Sequence, residues 1–431
     1  MRERFLTRRV FGKIWRLYRR PAWWALDKYR RLCDFLRLPD YRGMRLTPKR
    51  LFNLYLVRFQ KSRGHVKLYG SPIVLTMEST NACNLRCPYC FTGAGEIGRE
   101  KAMLRLPLYQ KALEEMGSRL LLVEFYNWGE PLLNKSIYDM VRMASDRGIS
   151  TIISTNFSFP FDQERAEKLV ASQLGVLGVS LDGAWQESYE QYRVRGDLGT
   201  VLRNVRMVND AKQKLGSKNP HMIWEYHIFP HNKTKEEIET ARQKAEELGM
   251  EFALSKGWVA GEDWDKTDEF RELFPAHLPA RTPAHCYFLW QQAVINSEGG
   301  VAPCCGAYYK EDDFGHFGDG MSVPLSELAS ASFREIWNNE RFRAARALFQ
   351  DRTKASAMAK SLICYDCPVT ALYERYRQHR AQGLPQDTFE TGWGPNDGFN
   401  YFFGRKPARA QRSENGVAPA EVIELTPTAD R

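Results

Sequence analysis

The stretch TNACNLRCPYCFTG, residues 80–93, carries Cys83, Cys87 and Cys90 at Cys-x3-Cys-x2-Cys spacing, in a chain of 431 residues with nine cysteines. An odd, clustered set of thiols reads as metal ligands or catalysts before it reads as a disulfide framework. A structural zinc site takes four protein ligands, and a cubane iron–sulfur cluster takes one per iron. Three thiols on one loop therefore offer two chemistries. Either a distant histidine completes a zinc site, or a [4Fe–4S] cluster keeps one iron open for reaction.

A second group follows: Cys286, Cys304, Cys364 and Cys367, with Cys305 beside Cys304. CYFLWQQAVINSEGGVAPCC reads as a hairpin turning at Ser-Glu-Gly-Gly, and CYDC adds two thiols at knuckle spacing. Four thiolates would close a zinc or an iron–sulfur site, and spacing does not choose between them. Polar residues also gather where β-rich runs end: Gly129-Glu130-Pro131 in NWGEP, Ser154 and Asn156 in STN, Ser180 and Asp182 in SLDG, and Arg193 and Arg195 in YEQYRVRG. Taken singly, these are equally well explained by turn and cap chemistry. Glu124, Glu225 and His227 lie inside apolar runs. Glu225 and His227 share a strand face by period two, as catalytic base or as salt-bridge partner.

The elements that must hold these groups begin at Ile73. IVLTME, LLLVEFYN, ISTIISTN, GVLGVSLD, MIWEYHIF and MEFALS alternate with amphipathic stretches such as LPLYQKALEEM and KEEIETARQKAEELG. Strand–helix alternation predicts parallel βα units, and six of them predict an α/β fold: a partial (βα)6 TIM-like barrel. The cysteine loop then follows the first strand, on the C-terminal side where such barrels place their sites. The expected division is a basic amphipathic helical extension at 1–70, the barrel at 71–256, a linker at 257–285, a cysteine module at 286–370, a C-terminal helix and loop at 371–404, and a disordered tail at 405–431. The net charge is +10, yet residues 1–70 hold 20 Lys/Arg against 4 Asp/Glu, or +16, leaving −6 for the rest. No signal-like apolar region opens the chain and no run is long enough to span a bilayer, which predicts a cytoplasmic protein.

As an ordered set over residues 73 to about 256, these motifs resemble the radical SAM enzymes. The resemblance implies a [4Fe–4S] cluster on Cys83, Cys87 and Cys90 whose open iron binds S-adenosyl-L-methionine (SAM). One electron then yields methionine and a 5′-deoxyadenosyl radical. It further implies an adenine contact at Tyr89 and ammonium contacts at Gly129, Glu130 and Pro131, with Trp128 replacing the first glycine of the family's GGEP. Ribose and barrel-rim contacts fall at Ser154, Asn156, Ser180 and Asp182. A carboxylate-binding arginine falls at Arg193, with Arg195 as the substitute. The second cysteine group resembles the SPASM/twitch extension of that family, implying an auxiliary [4Fe–4S] cluster on Cys286, Cys304, Cys364 and Cys367, with Cys305 outside the ligand set.

The function expected is hydrogen abstraction from a small-molecule, sugar or lipid-linked substrate, giving dehydrogenation or epimerisation. Glu225 or His227 would be the base and Cys305 the hydrogen-atom donor, and a reductant protein of flavodoxin or ferredoxin type would be the partner. A peptide-modifying maturase is the alternative. An RNA-binding or RNA-modifying iron–sulfur protein, its basic segment gripping phosphates, is the alternative of another class, though nucleic acid is the disfavoured partner. Trp15, Trp23, Trp24 and their arginine-rich surroundings instead predict peripheral attachment to an anionic membrane surface.

Overall fold

The computed structural model describes residues 41–257, 285–318 and 332–383. The expectations for residues 1–40, for nearly all of the linker and for everything after residue 383 lie outside these residues.

Six strands pair in chain order, all parallel: β1 (Val74–Met77), β2 (Leu122–Glu124), β3 (Ser150–Thr155), β4 (Val176–Ser180), β5 (His221–Ile228) and β6 (Glu251–Lys256). Helices Leu106–Met116, Ile137–Asp146, Gln163–Ala171, Leu198–Lys214 and Lys235–Glu247 carry the crossovers. This is the expected α/β partial barrel. Its strands keep the two-residue period: in β5, Met222, Trp224, Tyr226 and Ile228 are buried, while His221, Ile223, Glu225 and His227 are half-buried. The long helix Leu198–Lys214 buries Val201, Asn204, Val205, Val208 and Ala211 at helical spacing. Asp162, Asp197 and Thr234 each accept an amide hydrogen bond as N-caps, worth about 1 kcal/mol apiece.

The cysteine-bearing hairpin forms as the sequence predicts, but it continues the barrel sheet instead of standing apart. Strand β7 (Gln292–Ile295) pairs parallel with β1, then β8 (Gly300–Ala302) and β9 (Gly315–His316) follow antiparallel, giving nine strands in one sheet. The hairpin turn places Gly299 at φ +99°. That conformation is open to glycine and strained for other residues.

Within the basic 1–70 extension, the segment 48–70 packs against the body. Helix Pro48–Ser62, with Thr47 as N-cap and Pro48 opening it, buries Arg50, Asn53, Leu54, Val57 and Gln60. The Arg50 guanidinium donates to the carbonyls of Arg45, Gly148, Gly117 and Arg147, closing off loop ends of the barrel. Asn53 exchanges two hydrogen bonds with the Ser71 backbone, and Trp290 Nε1 donates to His65 O across to the cysteine module. Runs of like charge predict a solvated appendage. Here, buried polar groups hydrogen-bonded to backbone fix the basic segment to the body.

Candidate functional site

The cysteine loop leaves the end of β1 and is braced by the loop after β2. The Cβ that a side chain at Gly129 would need falls on the carbonyls of Thr80 and Ala82, so only glycine permits this approach. Glu130 N donates to Ala82 O at 2.8 Å. The Glu130 carboxylate, 1% exposed, accepts from Thr155 Oγ1 (2.7 Å), Asn156 N (2.8 Å) and Leu132 N (3.0 Å). Burial raises it to about 7 against those hydrogen bonds. The carboxylate thus bridges the loop after β2 to the end of β3, with Oε2 accepting from Asn156 N alone.

The three thiols are gathered but electrically frustrated. Burial pushes Cys83 up to about 12, with Glu130, Cys87 and Cys90 adding to the rise. Burial also raises Cys87, against the pull of Arg193. Thiols that oppose one another's ionisation are what a cationic iron cluster relieves, so this donor set fits one. Leu85 N and Asn156 Nδ2 lie 3.5 and 3.6 Å from Cys83 Sγ, and Arg193 Nη1 lies 4.0 Å from Cys87 Sγ. Asn156 thus lies against the loop's sulfur.

At the rim, Asp182 is fully buried and organises two neighbours. Its Oδ2 accepts from Arg193 Nε at 2.6 Å, while Oδ1 takes the His227 backbone N–H and faces His227 Nδ1, each at 2.9 Å. Burial would raise this carboxyl, but Arg193 and His227 outweigh it and hold it at about 2. Asn232 fixes the group by donating to Asp182 O and His227 O. With Nε engaged, Arg193 keeps its Nη groups on the side of the cysteine loop. Arg195 is exposed, at φ +72°. Tyr89 stacks on Tyr192, centroids 6.2 Å apart, and Tyr192 lies against Phe229.

Deeper in the barrel, Glu225 Oε2 accepts from Ser154 (2.7 Å) and Ser180 (3.3 Å), joining three of the anticipated residues across β3, β4 and β5. Glu124 accepts from Thr76, Gln292 and the Tyr126 hydroxyl. Tyr126 was not anticipated, although it shares Glu124's face by period two. Burial raises its hydroxyl, as do the charges of Glu124, Glu225 and Cys305. Cys305 has exposed area yet is hemmed in by protein, as a group lining a recess is, and burial with Glu124's charge lifts it to about 11.

The second thiol set also converges. Burial drives Cys304 well above its ordinary value, as do the charges of Cys305, Cys364, Cys367 and Cys286. Cys286 and Cys367 are the N-cap residues of helices Tyr287–Gln291 and Pro368–Ala381. Lys61, 3.1 Å from Gln291 Oε1, adds a cation whose field lowers Cys286. The two sets touch through Phe91, which stacks on Tyr308 with centroids 3.5 Å apart and meets Trp128 edge-on. Trp128 Nε1 is buried without a hydrogen-bond partner, a donor left for a ligand. Arg99, unanticipated and fully buried, joins the sets by binding Glu298 (2.5 Å) and Asp313 (2.6 and 2.8 Å). Among the described residues, no three His, Cys, Asp or Glu side chains surround a single-ion site.

The profile of the radical SAM superfamily matches residues 77–244, and the iron–sulfur cluster-binding SPASM profile matches residues 286–368. The chain carries a radical SAM domain followed by a SPASM domain. Its cofactors are [4Fe–4S] clusters and SAM. The Fe-coproporphyrin III synthase of Methanosarcina barkeri is 28% identical over 163 residues, 38% of each chain. The PqqA peptide cyclase of Bradyrhizobium diazoefficiens is 29% identical over 124 residues, 29% of this chain and 32% of the cyclase. These alignments span about a third of each relative's length. The tungsten-containing aldehyde ferredoxin oxidoreductase cofactor-modifying protein of Pyrococcus furiosus aligns more broadly, at 26% identity over 68% of this chain and 86% of that protein. Among solved structures, SuiB of Streptococcus suis bound to S-adenosylmethionine is similar, with a TM-score of 0.48, 15% identity and coverage of 72% and 76% of the two chains.

Proposed function

We propose that the protein cleaves SAM reductively and abstracts a hydrogen atom from a substrate seated in the barrel between the radical SAM and SPASM sites. The observation that carries this reading is the Asp182–Arg193 pair, which holds a guanidinium fork beside Cys87 at the mouth of the three-cysteine loop. When bound, the cluster and SAM supply one-electron cleavage of a carbon–sulfur bond and a primary carbon radical. The chain's own residues do the rest. Arg193, oriented by Asp182, offers its Nη groups to a ligand carboxylate with the planarity that such pairing uses. The backbone at Gly129–Pro131 would hold the ammonium group of SAM, and Tyr89 would flank its adenine. The aromatic cluster of Phe91, Trp128 and Tyr308 keeps water from the seam between the sites.

On the substrate side, Glu225 and His227 are candidate bases. The Asp182 contact turns His227 so that its other ring nitrogen is free to take a proton. Cys305, near the interior carboxylates, is the candidate hydrogen-atom donor. Dehydrogenation of a small, sugar-like or lipid-linked alcohol would use a base, whereas epimerisation would use the thiol. A second reading, peptide modification, is favoured by the names of relatives such as the PqqA peptide cyclase and the mycofactocin maturase. A flavodoxin- or ferredoxin-type protein would deliver the electron in either case.

The test is anaerobic reconstitution with dithionite and SAM. 5′-Deoxyadenosine should form with wild type and be absent with the Cys83→Ala/Cys87→Ala/Cys90→Ala variant. Formation by the variant would overturn the reading.

A further inference from the structure

Helix Pro48–Ser62 buries polar groups beside the apolar Leu54 and Val57 and leaves aromatic rings exposed. A surface helix turns its apolar stripe inward. This one buries Arg50, Asn53 and Gln60 among its inward residues. Outward, at helical spacing, it presents Phe52 (69% exposed), Tyr55 (52%) and Phe59 (45%). The inward polar groups are hydrogen-bonded to backbone, so the orientation is fixed by the fold. At 15 residues the helix is about 22 Å long, which makes the aromatic row a continuous ridge and not a scatter of single residues.

We infer that this ridge docks on an anionic lipid surface. Charge complementarity chooses the occupant. Residues 41–70 contain eight Lys/Arg and no Asp/Glu. Arg42, Arg45, Lys49, Arg63 and Lys67 among them are exposed around the ridge. The 40 residues preceding it add twelve Lys/Arg against four Asp/Glu, together with Trp15, Trp23 and Trp24. Aromatic rings at headgroup depth with cations beside them form the pattern of an interfacial helix. A neutral protein groove would match the rings and leave the surrounding cations uncompensated. Docking on this face also orients the molecule, because the opposite face of the same helix carries Lys61 against the second cysteine set. No residue of the SAM-binding site takes part, so the inference stands apart from the proposed chemistry.

The experiment sediments full-length, cluster-loaded protein with vesicles of phosphatidylcholine alone and of phosphatidylcholine with phosphatidylglycerol. Wild type should bind the mixed vesicles, ignore the neutral ones and release in high salt. Phe52→Ser/Phe59→Ser leaves every charge in place and removes exposed rings, so its iron content and melting temperature should match wild type. Its partitioning should weaken by at least about tenfold. If the double variant binds as wild type does, the ridge is not the docking element. Absence of wild-type binding to the mixed vesicles overturns the inference. So does self-association of wild type, without vesicle binding, that the double variant abolishes; that result would assign the face to a second copy of the chain.

Discussion

Cys83, Cys87 and Cys90 arrive within eight residues of chain, whereas the second set is collected from Cys286 to Cys367. The first is a local loop completed by groups from the ends of β1 to β5. Its sulfurs are neighboured by Asn156 and Arg193, and it supplies one thiol too few to ligate every iron of a cubane. The second supplies four thiols from a hairpin, two helix starts and the turn at Cys364, with a lysine nearby. A short loop buys an unfilled position that neighbouring strands can direct at a ligand. A dispersed set requires the whole module to be folded before it exists.

The sharpest way to break this comparison is to remove each set in turn. The loop variant should lose all SAM cleavage and keep about half of the roughly eight irons expected for two cubanes. Cys364→Ala/Cys367→Ala should also lose about half the iron while still cleaving SAM. Iron and 5′-deoxyadenosine assays read both outcomes, and cleavage that tracks total iron in the two variants alike would dissolve the distinction.

The contact between the sets offers the next test. Arg99→Met leaves the Glu298 and Asp313 carboxylates buried without their cation, an expected cost of about 3–5 kcal/mol in unfolding free energy. Both cysteine regions should melt together at the lower midpoint. Loss of the second set alone would mean that the clamp does not couple them.

A smaller effect is expected at the rim. Arg193→Lys can keep the ion pair with Asp182 but not the fork, so SAM cleavage should fall about 10- to 100-fold with a raised KM for SAM. Because Asp182 titrates at about 2, the wild-type clamp stays ionised as pH falls to about 4. A limb in the KM profile near that pH would contradict the assignment. The smallest effect is at Lys61. Lys61→Gln should lower the reduction potential of the second site by less than about 59 mV, a tenfold ratio for one electron, and Lys61→Arg should restore it. No shift in a redox titration would remove Lys61 from the comparison.

How far the sequence could be read follows the same division. The loop, the six-strand order and the hairpin were legible because each is written in short-range spacing: Cys-x3-Cys-x2-Cys, the two-residue period of β5, a glycine-rich turn. What sequence could not carry was partnership at a distance. Arg99 sits in an unremarkable loop, and its carboxylates lie 199 and 214 positions away. Glu130 was recognised by motif, but its burial beneath Thr155 and Asn156 depends on how closely Gly129 lets two loops approach. The charge count of the basic segment is likewise silent on packing, because Arg50, Asn53 and Gln60 find backbone partners only in the folded body.

The parallel pairing of β7 on β1 has a consequence for synthesis. Residues 74–77 leave the ribosome more than two hundred positions before residues 292–295, so β1 emerges with one edge unpaired while the rest of the barrel is made. The cysteine loop begins at that strand's end, and one of its braces, Glu78, bonds to Ser297 of the late hairpin. Metal delivery to the early thiols therefore belongs after the hairpin has emerged. A ribosome stalled before the hairpin would present three reactive cysteines beside an open strand edge, a species for chaperones to shield.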